Sequence, residues 1–368
     1  MEHRPQLRGH RLRLGAVIGL LPRGSAGRAA RRGTLVGGGL VIAALLVLPI
    51  ALLACSGGRT SEQPDAPTPE GDPAPIAVRL ALNWFPEPEF GGFYQGVLDG
   101  TYSAAGFDVE IIPGGPGAPT LELLESGKAE AAITSADDLL VKRDKGVRAV
   151  ALWAGFQRTP VGLMAHADSG LERIPDLLDH PELRVAVEIG SPFQRWLWQA
   201  MGFEGKVATV PTTGSVAAFL ADPRLVQQAY ITSEPCVARA RGVEVRFLAA
   251  ADVGWNPYGT VLAVADPPPP WAEDFRRATR QAWTAYLADP AAANQRIAQD
   301  NDQLTAELLT CISDAQRPYV TGEDGLGAMT EARWRQTRDA LVTVGVLKPD
   351  SRIEGAWISS VQGAAPTP

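Results

Sequence analysis

The chain has 368 residues, 45% of them apolar, and its 34 basic and 41 acidic side chains give a net charge of −7. Residues 1–34 hold eight arginines and one acid, and 35–54 hold no charge, so the part from Cys55 onward carries −14. Phosphate binding needs clustered positive charge, so this acidity argues against a nucleic-acid partner, while the apolar content excludes wholesale disorder. Only His166 and His180 follow Cys55, which disfavours a multi-histidine metal site, and we expect no cofactor.

The first 75 residues have the pattern of a targeting signal followed by a tether. An export signal typically has a basic segment, then an apolar run, then a small residue just before the cleavage site, and residues 1–54 follow this order. Leu52-Leu53-Ala54-Cys55 resembles the bacterial lipoprotein signal, in which the cysteine receives the lipid. An uncleaved membrane anchor is the alternative, since 20 apolar residues can span a bilayer. We therefore predict a signal peptide at 1–54, lipidation of Cys55, a proline-rich tether at 55–75 and an extracytoplasmic body; the secretion route, general or twin-arginine, stays open.

From residue 76 onward, short apolar runs alternate with segments of helical pattern. The runs predict strands at 76–82, 108–112, 131–134, 149–153, 161–165, 185–188, 207–210, 229–231, 245–249 and 258–265. Helices are expected between them at 93–99, 120–126, 137–145, 192–201 and 234–241. After residue 265 the pattern is helical only, at 271–287, 291–299, 303–310 and 331–344. This order predicts an α/β fold with two parallel-rich sheets flanked by helices and a helical C-terminal tail.

Cys236 and Cys311 are the remaining cysteines. Export permits a disulfide, but two cysteines at arbitrary spacing make no framework. We expect buried free thiols at both positions rather than a bridge.

The loops after the predicted strands carry aromatic rings, carboxylates, hydroxyls and glycine amides, with no lysine and one arginine, Arg158. Such loops converge at the carboxyl ends of parallel strands, where ligands bind. The mixture suits a flat, nitrogen-rich ligand and suits a sulfonate, nitrate or phosphate poorly. The candidate ligand-binding residues are Trp84, Phe85, Glu89, Tyr94, Gly114, Ser135, Asp137, Gln157, Glu188, Ser191, Thr213, Glu234 and Tyr258.

Structural roles remain open for several of these candidates. Trp84 and Phe85 could instead be core aromatic residues at the end of a strand, and Gly114 could belong to an ordinary turn. Ser135 is a good helix cap, and Glu234 opens a helix, where acids are favoured without any ligand.

Six short motifs carry a resemblance to a known family. They are Asn83-Trp84-Phe85-Pro86, Gly92-Phe93-Tyr94, Gly114-Gly115, Ser135-Ala136-Asp137, Gly190-Ser191-Pro192 and Thr232-Ser233-Glu234-Pro235. Together they resemble the thiamine-pyrimidine-precursor binding family, a branch of the nitrate/sulfonate/taurine group of ABC-transporter solute-binding proteins, over roughly residues 78–345. The resemblance implies a two-lobed periplasmic-binding-protein fold of type II, which closes on one small molecule and delivers it to permease and ATPase subunits.

The resemblance also implies boundaries and roles. The first lobe would comprise 76–160 plus 256–368, and the second lobe would be 161–255. Trp84 and Phe85 would stack on the ligand ring, Ser135 and Asp137 would meet its polar edges, and Glu234 would pair with an amino-pyrimidine edge. We expect a lipid-anchored monomer.

The chain departs from the family pattern in one place. Pro88-Glu89-Phe90 stands where pyrimidine binders often have an Asp-His pair, which leaves the exact ligand open. Fungal relatives are enzymes that consume their own histidine with iron and a cysteine-rich motif, and both ingredients are missing here, so we expect no enzyme. A pyrimidine-precursor synthase-like enzyme, a sensory binding subunit and a receptor for a sulfonate- or nitrate-type solute remain as alternatives.

Overall fold

The computed structural model describes residues 74–212, 214–322 and 324–359, all within the unit Glu70–Pro368. The predicted signal peptide, the lipidation residue Cys55, most of the predicted tether and the candidate Thr213 lie outside the described residues. Within the described ranges, no helix has the length and apolar character needed to cross a membrane.

The strands of the described chain form two sheets of five. They are β1 (Ile76–Ala81), β2 (Phe107–Ile112), β3 (Ala131–Thr134), β4 (Ala149–Phe156), β5 (Val161–His166), β6 (Arg184–Val187), β7 (Ala208–Pro211), β8 (Leu225–Tyr230), β9 (Val245–Ala249) and β10 (Gly259–Ala265). The predicted α/β fold with two sheets is confirmed.

Each sheet has four strands in one direction and one strand reversed. The first has the order β2-β1-β3-β10-β4, with β1 parallel to β2 and β3, and β10 antiparallel to β3 and β4. The second has the order β7-β6-β8-β5-β9, with β6 parallel to β7 and β8, and β5 antiparallel to β8 and β9. The second sheet is thus inserted between β4 and β10 of the first, which makes two lobes. The exact lobe boundaries stay a prediction.

Strands β3 and β4 of the first sheet are buried on both faces. All eight residues of β4 are buried, and the same holds for all four residues of β3. A strand buried on both sides reads as a continuous apolar run rather than as an alternation, which is the pattern the sequence showed.

The helices alternate with the strands and then continue alone. They are α1 (Gly91–Leu98), α2 (Thr101–Ala104), α3 (Thr120–Glu125), α4 (Ala136–Asp144), α5 (Pro192–Arg195), α6 (Ala217–Ala221), α7 (Glu234–Ala240), α8 (Ala272–Ala288), α9 (Ala291–Asp300), α10 (Ala306–Val320) and α11 (Glu331–Thr343). The predicted helix 192–201 is α5 followed by a π-helical turn at Trp196–Ala200. The predicted helix 303–310 starts later and extends to Val320.

Helices of the tail complete the first lobe. Helix α8 packs against α1, and a Cβ on Gly92 would come within 2.2 Å of the Trp283 ring, so this close approach needs glycine. One apolar cluster continues from the first lobe into the second and includes Ala154, Leu163 and, on α11, Trp334. The two lobes therefore share apolar packing as well as two connecting segments, 157–160 and 250–258.

The expectation of free thiols is wrong. Cys236 on α7 and Cys311 on α10 form a disulfide with a Cα–Cα distance of 5.9 Å, inside the range that a bridge requires. The two positions are 75 residues apart in sequence and meet only because α10 of the tail packs against α7 of the second lobe. Sequence spacing contains no information about that contact.

Candidate functional site

A cavity of about 220 Å³ lies between the lobes, against the two connecting segments. Five of the candidate residues line it: Ser135 and Asp137 after β3, Glu188 and Ser191 after β6, and Tyr258 before β10. The two serines also cap helices, because Asp138 N–H donates to Ser135 Oγ at 3.4 Å and Gln194 N–H donates to Ser191 Oγ at 3.2 Å. Capping uses a serine oxygen as acceptor, so the Ser191 hydroxyl hydrogen remains able to donate to a ligand, whereas the Ser135 hydroxyl also hydrogen-bonds the Asp137 carboxyl.

A second cavity of about 690 Å³ lies beside the loop that follows β1. The first lobe contributes Trp84, Phe85 and Glu87, and the second contributes Ser233 and Glu234. The Trp84 and Phe85 rings meet edge to face, with centroids 5.4 Å apart. Since Phe85 is 46% exposed, its ring is accessible from the cavity rather than committed to the core.

The segment between α9 and α10 closes this second cavity with further acids. Asp302 and Leu304 line it together with Asp300, whose carboxylate is paired with Arg296. Neither lysine nor arginine occurs among the described residues that line either cavity. Arg158, the cation predicted in these loops, instead pairs with Asp252 at 2.6 Å and lies over the Tyr319 ring. The cleft is therefore acidic and aromatic.

The strand end of β8 links the two cavities. Tyr230 lines the first cavity and Glu234 the second, and Glu234 Oε2 accepts a hydrogen bond from Tyr230 N–H at 2.8 Å. Burial, opposed by this hydrogen bond, raises the pKa of Glu234 to about 6. The Glu234 carboxyl thus accepts a backbone hydrogen bond through one oxygen and lines the second cavity, where it can meet a ligand.

Glu89 lies beneath the cleft as a buried carboxyl with 7% of its surface exposed. Burial, with a smaller effect from the charge of Glu234, raises the pKa of Glu89 to about 8. Burial and the charges of Glu89 and Glu234 also raise the pKa of Glu87 well above its ordinary value. Asp137 behaves alike, since burial raises its pKa against the opposing hydrogen bond from Ser135.

Four acids of the cleft lie close enough to the Tyr230 hydroxyl to raise its pKa. Burial raises the pKa of Tyr230, and the charges of Glu89, Asp137, Glu234 and Glu188 raise it further. Carboxylates from both lobes and from both cavities thus act on one hydroxyl. Among the described residues no arginine or lysine pairs with these acids, so those that are ionised focus negative potential in the cleft, whereas Glu89 stays protonated below about pH 8.

Like Glu89, three further candidates line neither of the two cavities and have roles inside the protein. Gln157 donates through Nε2 to the backbone oxygens of Ala154 and Ala328, and Tyr94 is buried in the core of the first lobe. Gly114 supports the cleft indirectly, because its N–H donates to the Trp84 carbonyl at 3.1 Å. A Cβ at Gly114 would lie 2.0 Å from the Leu82 oxygen, so only glycine fits there.

Sequence reasoning missed several residues of the cleft. Tyr230, Gln228 and Trp255 line the first cavity, and Glu87 lines the second. Glu87 and Trp255 belong to loops that the sequence already indicated. Tyr230 ends β8, and the end of a strand is a signal for access to the cleft, whereas no sequence signal indicated that residues 299–304 line it.

The described residues do not form a recognisable metal centre. Among them, no group of three or more His, Cys, Asp or Glu side chains is arranged to hold a metal ion. His166 Nε2 is paired with the Phe219 carbonyl at 2.9 Å, and His180 Nδ1 with Glu182 at 3.0 Å. Neither histidine lines a cavity.

Two sheets, an inserted second lobe and a cleft between them define a two-lobed periplasmic-binding-protein fold. The periplasmic aliphatic sulphonate binding protein SsuA from Escherichia coli shares it, with a TM-score of 0.57 and 16% identity over 80% of this chain and 97% of that one. The chain belongs to the NMT1/THI5-like family, whose model matches residues 87–293.

Two proteins whose names state a ligand are similar to this chain along most of their length. The riboflavin-binding protein RibY of Chloroflexus aurantiacus is 26% identical over 345 residues, which cover 86% of this chain and 95% of the relative. The formylaminopyrimidine-binding protein of Halalkalibacterium halodurans is 22% identical over 72% of this chain and 80% of its own. Both are named as binding proteins rather than as enzymes.

Proposed function

We propose that this chain is the extracytoplasmic solute-binding component of an ABC importer and that it takes a flat, nitrogen-containing heteroaromatic ligand. The observation that carries the proposal is the cleft between the lobes, which is lined by aromatic rings and carboxylates and, among the described residues, by no cation. Rings stack on the faces of such a ligand, and carboxylates accept hydrogen bonds from its amino or ring N–H groups.

The two relatives support this ligand class. Riboflavin and formylaminopyrimidine are both flat, nitrogen-rich ring systems, and both proteins named for binding them resemble this chain over most of its length. A sulfonate or nitrate would meet Glu234 and Asp302 without a balancing arginine or lysine among the described residues that line this cavity. Because anions prefer arginine or oriented amides, this cleft disfavours them.

Trp84 and Glu234 provide the mechanism of capture. Trp84 lies on the first lobe and Glu234 on the second, and both line the same cavity. A ligand that stacks on Trp84 while donating to Glu234 gains both interactions only when the lobes are together. That differential affinity favours the closed arrangement.

An enzyme of pyrimidine synthesis is the alternative that the site favours less. Such chemistry consumes a histidine, and both histidines of the described chain are paired away from the cavities. A sensory subunit would use the same cleft, so the distinction between sensing and import lies in the membrane partner.

The location follows from the predicted lipid anchor. Lipidation of Cys55 and a tether at 55–75 would keep the body beside permease and ATPase subunits. Replacing Cys55 with Ser should release the protein from membranes or leave the precursor uncut, as seen by fractionation and intact mass. A Cys55→Ser protein that is still processed and membrane-bound would contradict the anchor.

Mass spectrometry of the protein isolated from its own membranes tests the ligand class. The protein is kept native during purification and then denatured, and the released small molecules are identified. We expect a nitrogen heteroaromatic, and far less of it from a Glu234→Gln variant than from a matched surface variant, Glu354→Gln. Release of a sulfonate, or conversion of the heteroaromatic during incubation, would contradict the proposal.

A further inference from the structure

The disulfide joins the two lobes directly. Cys236 lies on α7, whose Ala238 belongs to an apolar cluster of the second lobe with Met164 and Phe219. Cys311 lies on α10, which is fixed to the first lobe because Gln316 Nε2 donates to the Pro88 carbonyl and to the Tyr286 hydroxyl, both at 3.1 Å. The bond therefore adds a covalent connection between lobes that the chain already connects twice.

The two chain connections lie together at the other cavity. Thr159 N–H donates to Asn256 Oδ1 at 2.9 Å, so the segments 157–160 and 250–258 run side by side and act as one hinge. Thr159, Pro257 and Tyr258 of these segments line the first cavity. The hinge thus borders the first cavity of the cleft.

The disulfide borders the second cavity. Val237, next to Cys236, and Ile312, next to Cys311, both line it, together with Glu234 and Leu308. Simple opening about the hinge would separate α7 from α10 at this cavity. The cysteine Cα atoms are already 5.9 Å apart, and a bridge tolerates at most about 6.8 Å.

We propose that Cys236–Cys311 is a clasp that holds the lobes together at the second cavity, so that the oxidised protein cannot open widely there. The lobes can still rock about the line that joins hinge and clasp, and this small movement is the closing motion that remains for a ligand bridging Trp84 and Glu234. An added phosphine, oxidised to its phosphine oxide, reduces the S–S bond to two thiols, which removes the clasp and permits wide opening. The clasp itself is independent of the proposed function, and only its effect on ligand exchange rests on the proposed binding of a ligand in the cleft.

Hydrogen–deuterium exchange of the full chain without ligand tests the clasp. The parent is compared with and without a phosphine reductant, alongside a Cys236→Ser/Cys311→Ser variant. Loss of the clasp should speed exchange about tenfold in cleft segments, namely the loop after β1 and the Tyr230 amide, while β4 and β6 keep their protection. The serine variant should show the fast cleft pattern with no response to reductant.

Two results would overturn the clasp. One is unchanged exchange in the cleft of the reduced parent, and the other is an equal rise in the sheet strands, which would mean general loss of stability. If the serine variant does not fold, the reduced parent decides alone. Because the measurement contains no ligand, its failure is separate from a failure of the proposed function, which appears only as absent binding.

Discussion

Replacing Glu89 with Gln should stabilise the protein, and more so as the pH rises. Burial and the charge of Glu234 raise the pKa of Glu89 from 4.5 to about 8. The folded protein therefore keeps this proton at pH values at which the unfolded chain releases it. Folding stability then falls as pH rises from about 4.5 to about 8, because the unfolded state binds fewer protons than the folded state there.

The structure sets the size of this effect. With the folded pKa at about 8 and the unfolded value at 4.5, the carboxyl costs the folded state on the order of 3 kcal/mol at pH 7. A glutamine at position 89 stays neutral and keeps the shape, so it removes the pH-dependent cost. Parent and variant should differ least at pH 5, and the difference should grow steadily up to pH 8.

Unfolding in urea at pH 5, 6, 7 and 8, followed by tryptophan fluorescence, measures the difference in the free energy of unfolding. Glu354→Gln, at an exposed position, serves as the control and should follow the parent at every pH. Parallel curves for Glu89→Gln and the parent would refute the reasoning, because they would show that Glu89 is ionised in the folded protein.

Further variants test the cleft. Glu234→Gln should weaken ligand binding roughly tenfold to hundredfold, since a charge-assisted hydrogen bond contributes about 1.5–3 kcal/mol; calorimetry showing unchanged affinity would make Glu234 merely a helix-start acid. Trp84→Ala should lose a similar amount by the same assay through lost stacking and burial, and equal binding would place the ring elsewhere. Gly114→Ala should lower the melting temperature, because the added Cβ would lie 2.0 Å from the Leu82 oxygen; an unchanged melting temperature would mean that this loop moves freely.

The sequence predicted most strands, and best where a strand is a compact apolar run, whereas the prediction at 229–231 found only the end of β8. The runs at 131–134 and 245–249 match β3 and β9 residue for residue. Short elements were missed, such as α2 and α6, because four or five residues show no helical period.

Contacts between segments that are distant along the chain could not be predicted from the sequence. Cys236 and Cys311 are joined because two helices pack together, and Asp300 reaches the cleft because the turn after α9 folds over it. Gln157 follows a strand, as a ligand-binding residue would, yet its amide is used by the carbonyls of Ala154 and Ala328. Position at a strand end predicts access to the cleft but does not say which partner a side chain takes.

Calorimetric titration of the purified protein with riboflavin, an aminopyrimidine and taurine tests the central claim most directly. The acidic, aromatic cleft predicts saturable binding of at least one of the two heteroaromatic compounds and no measurable heat from taurine. Saturable binding of taurine, with no response to either heteroaromatic compound, would contradict the account.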